Sequence, residues 1–250
     1  MPLFRVSGIQ ISLHFTFFLF IGYFGWEGWR AAGLHGLVWT VAYLVMLFVC
    51  ITLHEFGHGL TARRYRVQVP RILLTPIGGI IELGSLPRQP RRELAIIAAG
   101  PAVNFVLAAF LALWVPWPRL FIADGTIPDT VQSFVQELLR FNIVMGLFNL
   151  IPVFPMDGGR MLRAGLATRM PYLRATAIAA RVGQLFAAFL VVVVLTVPSR
   201  PNYLVAALFT FIYFAAENEY RWIRRQESAS PAQAPALGSI STKSSQFDSR

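Results

Sequence analysis

Hydrophobic residues occur in this chain as long blocks rather than at intervals. Stretches at about 9–26, 36–62, 94–115, 131–151, 176–197 and 202–220 carry almost no charge. They approach or exceed the roughly 18 to 20 apolar residues that take a helix across a bilayer. Backbone groups in lipid must be satisfied within their own segment, so each block predicts an α-helix. Two places break the pattern. Between the second and third blocks, VQVPRILLTPIGGIIELGSLPRQP is too short and too interrupted by Pro70, Pro76, Gly78 and Gly79 to span, and its ILL and IIEL runs flank a Pro-Ile-Gly-Gly turn. That predicts a β-hairpin at about 72–83, dipping into the membrane face, with a polar cavity nearby. The fourth block ends in FNLIPVFPMDGGRMLRAGL, where Pro152 and Pro155 forbid a continuous helix and Gly158 and Gly159 permit turns closed to other residues.

The expected fold class is therefore an all-α polytopic membrane protein, with about six transmembrane helices and a small membrane-associated β-hairpin between helices 2 and 3. From Ser228 the chain is rich in Ser, Ala and Pro and has no apolar period. Residues 1–225 are expected to form one transmembrane domain and 226–250 a disordered cytoplasmic tail.

Composition supports a lipid bilayer as surroundings: 56% of residues are hydrophobic and 14% charged, where soluble domains carry about a quarter charged. The net charge of +10 would suit nucleic acid, but the arginines fall in the joints between blocks, so no nucleic-acid partner is expected. Arg5 precedes the first block; Arg63, Arg64, Arg66, Arg71, Arg88, Arg91 and Arg92 follow the second; Arg160, Arg163, Arg169 and Arg174 follow the fourth; Arg221, Arg224 and Arg225 follow the sixth. Alternate joints hold only Arg30, Arg119 and Arg200, so the positive-inside rule puts both termini in the cytoplasm of a multi-pass cell-membrane protein. Tryptophans such as Trp26, Trp39 and Trp117 fall at the outer interface on this layout. The single cysteine, Cys50, excludes an intramolecular disulfide framework and is expected to pack. The first block has too thin a basic start for a cleaved signal peptide and is expected to be a retained helix.

Candidate chemistry begins at HEFGH, residues 54–58, near the end of the second block. Ionisable groups there are costly and need partners. His54 and His58 are one helical turn apart on one face, and with Glu55 they form H-E-x-x-H, in which the histidines bind zinc and the glutamate is the general base. A catalytic zinc takes three protein ligands and keeps a position open, so a third ligand is needed. His14 and His35 lie near the ends of other blocks. Asp157, in the broken stretch on the same membrane side, is the better candidate; its ordinary alternative is to cap the short helix that follows.

HEFGH within a hydrophobic block, GPAVN at 100–104 and FNLIPVFPMDGGR at 148–160 together resemble the site-2 proteases, the intramembrane zinc metalloproteases of regulated proteolysis. The segment GIQISLHFTFFLF and the PIGG turn resemble the compact six-helix branch, here followed by a short tail in place of that branch's nucleotide-sensing domains. The likeness extends to about Arg225. It implies that His54, His58 and Asp157 bind one Zn2+, that Glu55 is the base, and that Asn149 and Asn104 help hold the substrate or the oxyanion. For both asparagines an interhelical polar contact is the alternative. It further implies substrates among single-pass transmembrane proteins, such as anti-sigma factors or membrane-tethered transcription factors. Because a helical substrate hides its peptide bonds, the hairpin edge is expected to capture an unwound segment by strand addition. A metal transporter using the same three ligands, or an inactive scaffold that binds membrane helices, are the competing readings; a transporter has no need of Glu55.

Overall fold

The computed structural model describes residues 1–76, 78–82, 84, 89–115, 128–196 and 202–229. Its elements run β1 (Pro2–Val6), β2 (Ile9–Leu13), α1 (Thr16–Arg64), β3 (Arg71–Thr75), β4 (Gly78–Glu82), α2 (Pro90–Ala112), α3 (Val131–Leu150), α4 (Asp157–Leu166), α5 (Tyr172–Thr196) and α6 (Tyr203–Ala229). Among the described residues, α1, α2 and α5 are long and apolar enough to cross a membrane.

α1 contains the second hydrophobic block and the part of the first from Thr16 onward. It breaks at Ala32 (φ −147°, ψ 28°) and Gly33 (φ 58°, ψ −143°), and the second conformation is one that glycine adopts without a Cβ penalty. The two legs pack against each other beyond the break. Phe17 and Phe48 rings lie 4.5 Å apart, and a Cβ on Gly28 would stand 2.7 Å from the Gly36 carbonyl oxygen, so small residues allow the close approach.

The first block starts later than its hydrophobicity suggests. Residues 9–13 form β2, not helix, because Ile9, Ile11 and Leu13 alternate with polar Gln10 and Ser12 at the period of a strand and send their side chains into the core. The expected hairpin is likewise part of something larger. β3 and β4 pair antiparallel, but β3 also pairs in parallel with β2, and β2 antiparallel with β1, giving a four-stranded sheet in the order β1-β2-β3-β4. The parallel β2–β3 pair needs a crossover, and α1 supplies it. Ile9, Ile11, Ile72 and Leu74 from the sheet pack with Ala62, Val67 and Val69 and with Ile96 of α2 into one buried cluster. The sheet is thereby held against the end of α1 that carries HEFGH, with β4 as the edge strand on the side away from β1, its outer edge free of strand pairing among the described residues.

α3 starts in a capping box, in which the Thr130 hydroxyl accepts from the Ser133 N–H and Ser133 Oγ accepts from the Thr130 N–H. α6 extends to Ala229, four residues into the segment expected to be tail; the rest of that tail, Ile77 of the PIGG turn, and Arg88, Trp117, Arg119 and Arg200 lie outside the described residues. Arg163 departs from the membrane-orientation reading. Its side chain is 2% exposed and bonds to Glu93 of α2 (Nη2–Oε1 2.7 Å) and Glu219 of α6 (Nη1–Oε1 3.0 Å), while Tyr172 of α5 donates to Glu93 (3.1 Å). This buried cluster ties four helices together, and an unpaired charge there would be very costly.

Candidate metal centre

His54 and His58 occupy successive turns of α1, their ring centroids 4.8 Å apart and nearly perpendicular. α2 lies against them. A Cβ on Gly57 would come 2.6 Å from the Ala99 carbonyl oxygen, and a Cβ on Gly100 would overlap His58 Nε2 and stand 2.8 Å from His54 Nε2. Glycine at 57 and 100 therefore lets two helices meet with both imidazoles between them, which accounts for the first residue of GPAVN.

The third group arrives from the broken end of α3. Pro152 and Pro155 end that helix, and the chain folds back so tightly that a Cβ on Gly158 would collide with the Ile151 and Leu150 carbonyl oxygens, and one on Gly159 would lie 2.6 Å from the Phe154 nitrogen. α4 then begins at Asp157 without a side-chain cap, its N-cap position being Met156. The Asp157 carboxylate turns to the histidines instead: Oδ2 is 3.2 Å from both Nε2 atoms, which are themselves 3.1 Å apart.

Hydrogen bonding on the far sides of the rings decides what faces this point. His58 Nδ1 lies 2.9 Å from the Ile96 carbonyl, which can only accept, so Nδ1 carries the proton and Nε2 presents a lone pair. His54 Nδ1 lies 2.5 Å from Asn104 Oδ1 in the same arrangement. Two imidazole lone pairs and a carboxylate oxygen thus converge, and buried Asp157 Oδ2 has no hydrogen-bond donor. Three acceptors at this separation repel one another unless a cation sits among them. Ligand atoms around a tetrahedral Zn2+ with bonds of about 2.0–2.1 Å stand about 3.3 Å apart, so the observed spacing fits zinc. Among the described residues these three are the group that could hold a metal ion.

Glu55 is buried beside the histidines and packs on the sheet. A Cβ on Gly79 of β4 would stand 2.5 Å from Glu55 Cγ and 2.9 Å from Oε1, so the bare glycine of the free edge strand leaves the space that Glu55 fills. The structure thus brings together four of the six sequence-predicted site residues: His54, Glu55, His58 and Asp157. Asn104 meets this group from behind, on the outer side of His54. It is fully buried, with Oδ1 on His54 and Nδ2 on Asn142 Oδ1 at 2.9 Å, which is the interhelical polar contact and orients a ligand. Asn149, in the last turn of α3, donates to the Met145 carbonyl (3.0 Å), and no hydrogen bond among the described residues joins it to the three converging groups. His14 pairs with Thr16 (2.7 Å) and His35 accepts from Trp39 (3.0 Å), both away from the site. The sequence reading passed over Asn142, Glu93 and Tyr172; their only signal is a polar residue inside an apolar block or at its start.

Comparison with known proteins agrees with this geometry. The model of peptidase family M50 matches residues 42–118 and 119–190. A zinc metalloprotease of Methanocaldococcus jannaschii is 37% identical over 219 residues, 88% of this chain and 60% of its own length. The regulator of sigma E protease of Salmonella typhi is 33% identical over 144 residues, 40% of this chain and 32% of its own. The chain therefore spans about three-fifths or less of these curated relatives. A solved site-2 protease from M. jannaschii is 35% identical, with a TM-score of 0.59 covering 88% of this chain and 94% of that one. A helical membrane-type frame carrying H-E-x-x-H opposite an Asp-Gly-Gly turn, matched over most of its length by sequence and by fold, places this chain in peptidase family M50, the site-2 protease family.

Proposed function

We propose that this protein is an intramembrane zinc metalloprotease that hydrolyses a peptide bond within or near the transmembrane segment of membrane-protein substrates. The observation that carries this reading is the convergence of three unprotonated ligand atoms, with a buried glutamate beside them, at the end of a membrane-spanning helix. His54, His58 and Asp157 would hold the ion. Bound there, zinc would polarise the scissile carbonyl and let water ionise near neutral pH. Glu55 accepts a proton from the water whose oxygen adds to the carbonyl carbon, and delivers it to the amine nitrogen as the C–N bond breaks. Asn149 supplies a hydrogen bond to the oxyanion; one of its amide protons is spent on Met145, leaving the other.

An extended substrate is needed, and the free edge of β4 supports the means of obtaining one: its Gly79 backbone lies against Glu55, so a strand added to β4 would run past the base. Residues 1–225 form the protease domain. The two legs of α1 with α2, α3, α5 and α6 make six spans, with both termini and the metal centre toward the cytoplasm, as the arginine distribution supports. Single-pass proteins such as anti-sigma factors or membrane-tethered transcription factors are the substrate class, in keeping with the relative named for sigma E regulation.

The test compares purified wild type with Glu55→Gln. Both are expected to retain one zinc per chain, while only the wild type cleaves a transmembrane peptide and loses that activity to a chelator. Zinc-independent cleavage, or full activity in Glu55→Gln, would overturn the reading. A metal-transit site would show no dependence on Glu55.

A further inference from the structure

Asn142, on α3, is fully buried, and no hydrogen bond among the described residues joins it directly to His54, His58 or Asp157. Its amide nitrogen donates to the Leu138 carbonyl (2.8 Å) and to Cys50 Sγ (3.3 Å), and its Oδ1 accepts from Asn104 Nδ2 (2.9 Å). The orientation of every group in this chain follows from one fixed point. A backbone carbonyl only accepts, so the Leu138 oxygen requires the NH2 end of Asn142 to face it. Oδ1 of Asn142 must then face Asn104, which in turn must answer with its own NH2. That leaves Asn104 Oδ1 as the atom on His54 Nδ1. An acceptor there requires the proton on Nδ1 and frees Nε2 as a lone pair toward Asp157 and His58.

We propose that Asn142 is a positioning residue that sets the tautomer of His54 through Asn104, and so prepares this histidine as a metal ligand. The inference rests on the proposed zinc site. Without Asn142, the buried amide of Asn104 loses its acceptor and is free to flip. The flipped amide presents NH2 to His54 Nδ1, drives the ring proton to Nε2 and points it at the metal position. Outer groups that orient a metal-bound histidine are worth about 10- to 100-fold in metal affinity. His58 has no such relay, because its Nδ1 already rests on a backbone carbonyl that cannot flip.

The test measures zinc affinity by chelator competition in the purified full chain, for wild type, Asn142→Leu, Asn104→Leu, the double variant and Asn142→Asp. Asn142→Leu fills similar volume and is expected to bind zinc about 10- to 100-fold more weakly. In the Asn104→Leu background the same substitution should add nothing, since the path to His54 is already cut. Asn142→Asp, as a neutral buried acid, can donate to Leu138 and accept from Asn104, and is expected to stay within about threefold of wild type. Wild-type affinity in folded Asn142→Leu, additive losses in the double variant, or an Asn142→Asp protein as weak as Asn142→Leu would each overturn the relay. Should Asn142→Leu fail to fold, Asn142→Ala takes its place in each comparison with the same expected loss, since it too removes the acceptor that holds Asn104. A wild type that binds no zinc would instead sink the metal site itself, before any variant is compared.

Discussion

Replacing Gly79 by alanine should disable the base without disturbing the metal. The added Cβ would stand 2.5 Å from Glu55 Cγ and 3.1 Å from Cδ. Carbon atoms rest at about 3.5–4.0 Å, so one side must yield by roughly 1 Å. β4 is fixed by its pairing to β3, with Gly79 opposite Leu74. Cγ is bonded directly to Cβ on a buried helix, so it can retreat only by leaving its χ1 well. A 1 Å misplacement at a reacting centre costs about 10²-fold in rate, or about 2.7 kcal/mol in the barrier. The backbone itself is no obstacle, because the left-handed φ belongs to Gly78 (144°) and not to Gly79. The assay is kcat/KM on a transmembrane peptide, alongside zinc content by elemental analysis. Expected is a loss of about 10²-fold with one zinc retained per chain. Gly165→Ala serves as the control, since nothing lies within 4 Å of its added Cβ, and should leave activity unchanged. Undiminished cleavage by Gly79→Ala would refute the placement of Glu55 against β4.

Other substitutions separate the remaining parts of the site. Gly100→Ala puts a methyl into both histidine rings and should abolish zinc binding as well as cleavage, read by metal content; a zinc-loaded variant would contradict the α1–α2 contact. Arg163→Leu strands Glu93, which is 0% exposed, and should cost about 3–5 kcal/mol, seen as a large fall in thermal midpoint; an unchanged midpoint would mean that the cluster does not hold α4. Ile80→Pro and Ile81→Pro remove successive β4 N–H groups, which point to opposite edges of the strand, so the one that strikes the free edge should lose cleavage while keeping zinc. If both cleave normally, substrate does not add to that edge.

The hydrophobic blocks, the joints rich in arginine, HEFGH, and the proline-broken turn with Asp157 could all be read from the chain. Each is a local property: a run too apolar for water, a spacing of one helical turn, or a residue whose backbone conformation is restricted. Strand β2 was also legible in the alternation of Ile9, Ile11 and Leu13, but the surrounding hydrophobicity outweighed it. What joins distant segments was not legible. That β3 pairs with β2 across the whole of α1, that the bare backbone of Gly79 makes room for Glu55, and that Gly100 admits two imidazoles all depend on which surfaces meet in space. The same holds for charge and hydrogen bonding. Arg163 reads in sequence as an interfacial cation, and only its burial against Glu93 and Glu219 makes it an internal tie. Asn104 reads in sequence as a polar residue within an apolar block, and only the tertiary structure joins it to His54 and Asn142. A sequence names the groups able to donate, accept or bind metal; tertiary structure decides which partner each one meets, because a buried polar group is governed by its neighbours rather than by water.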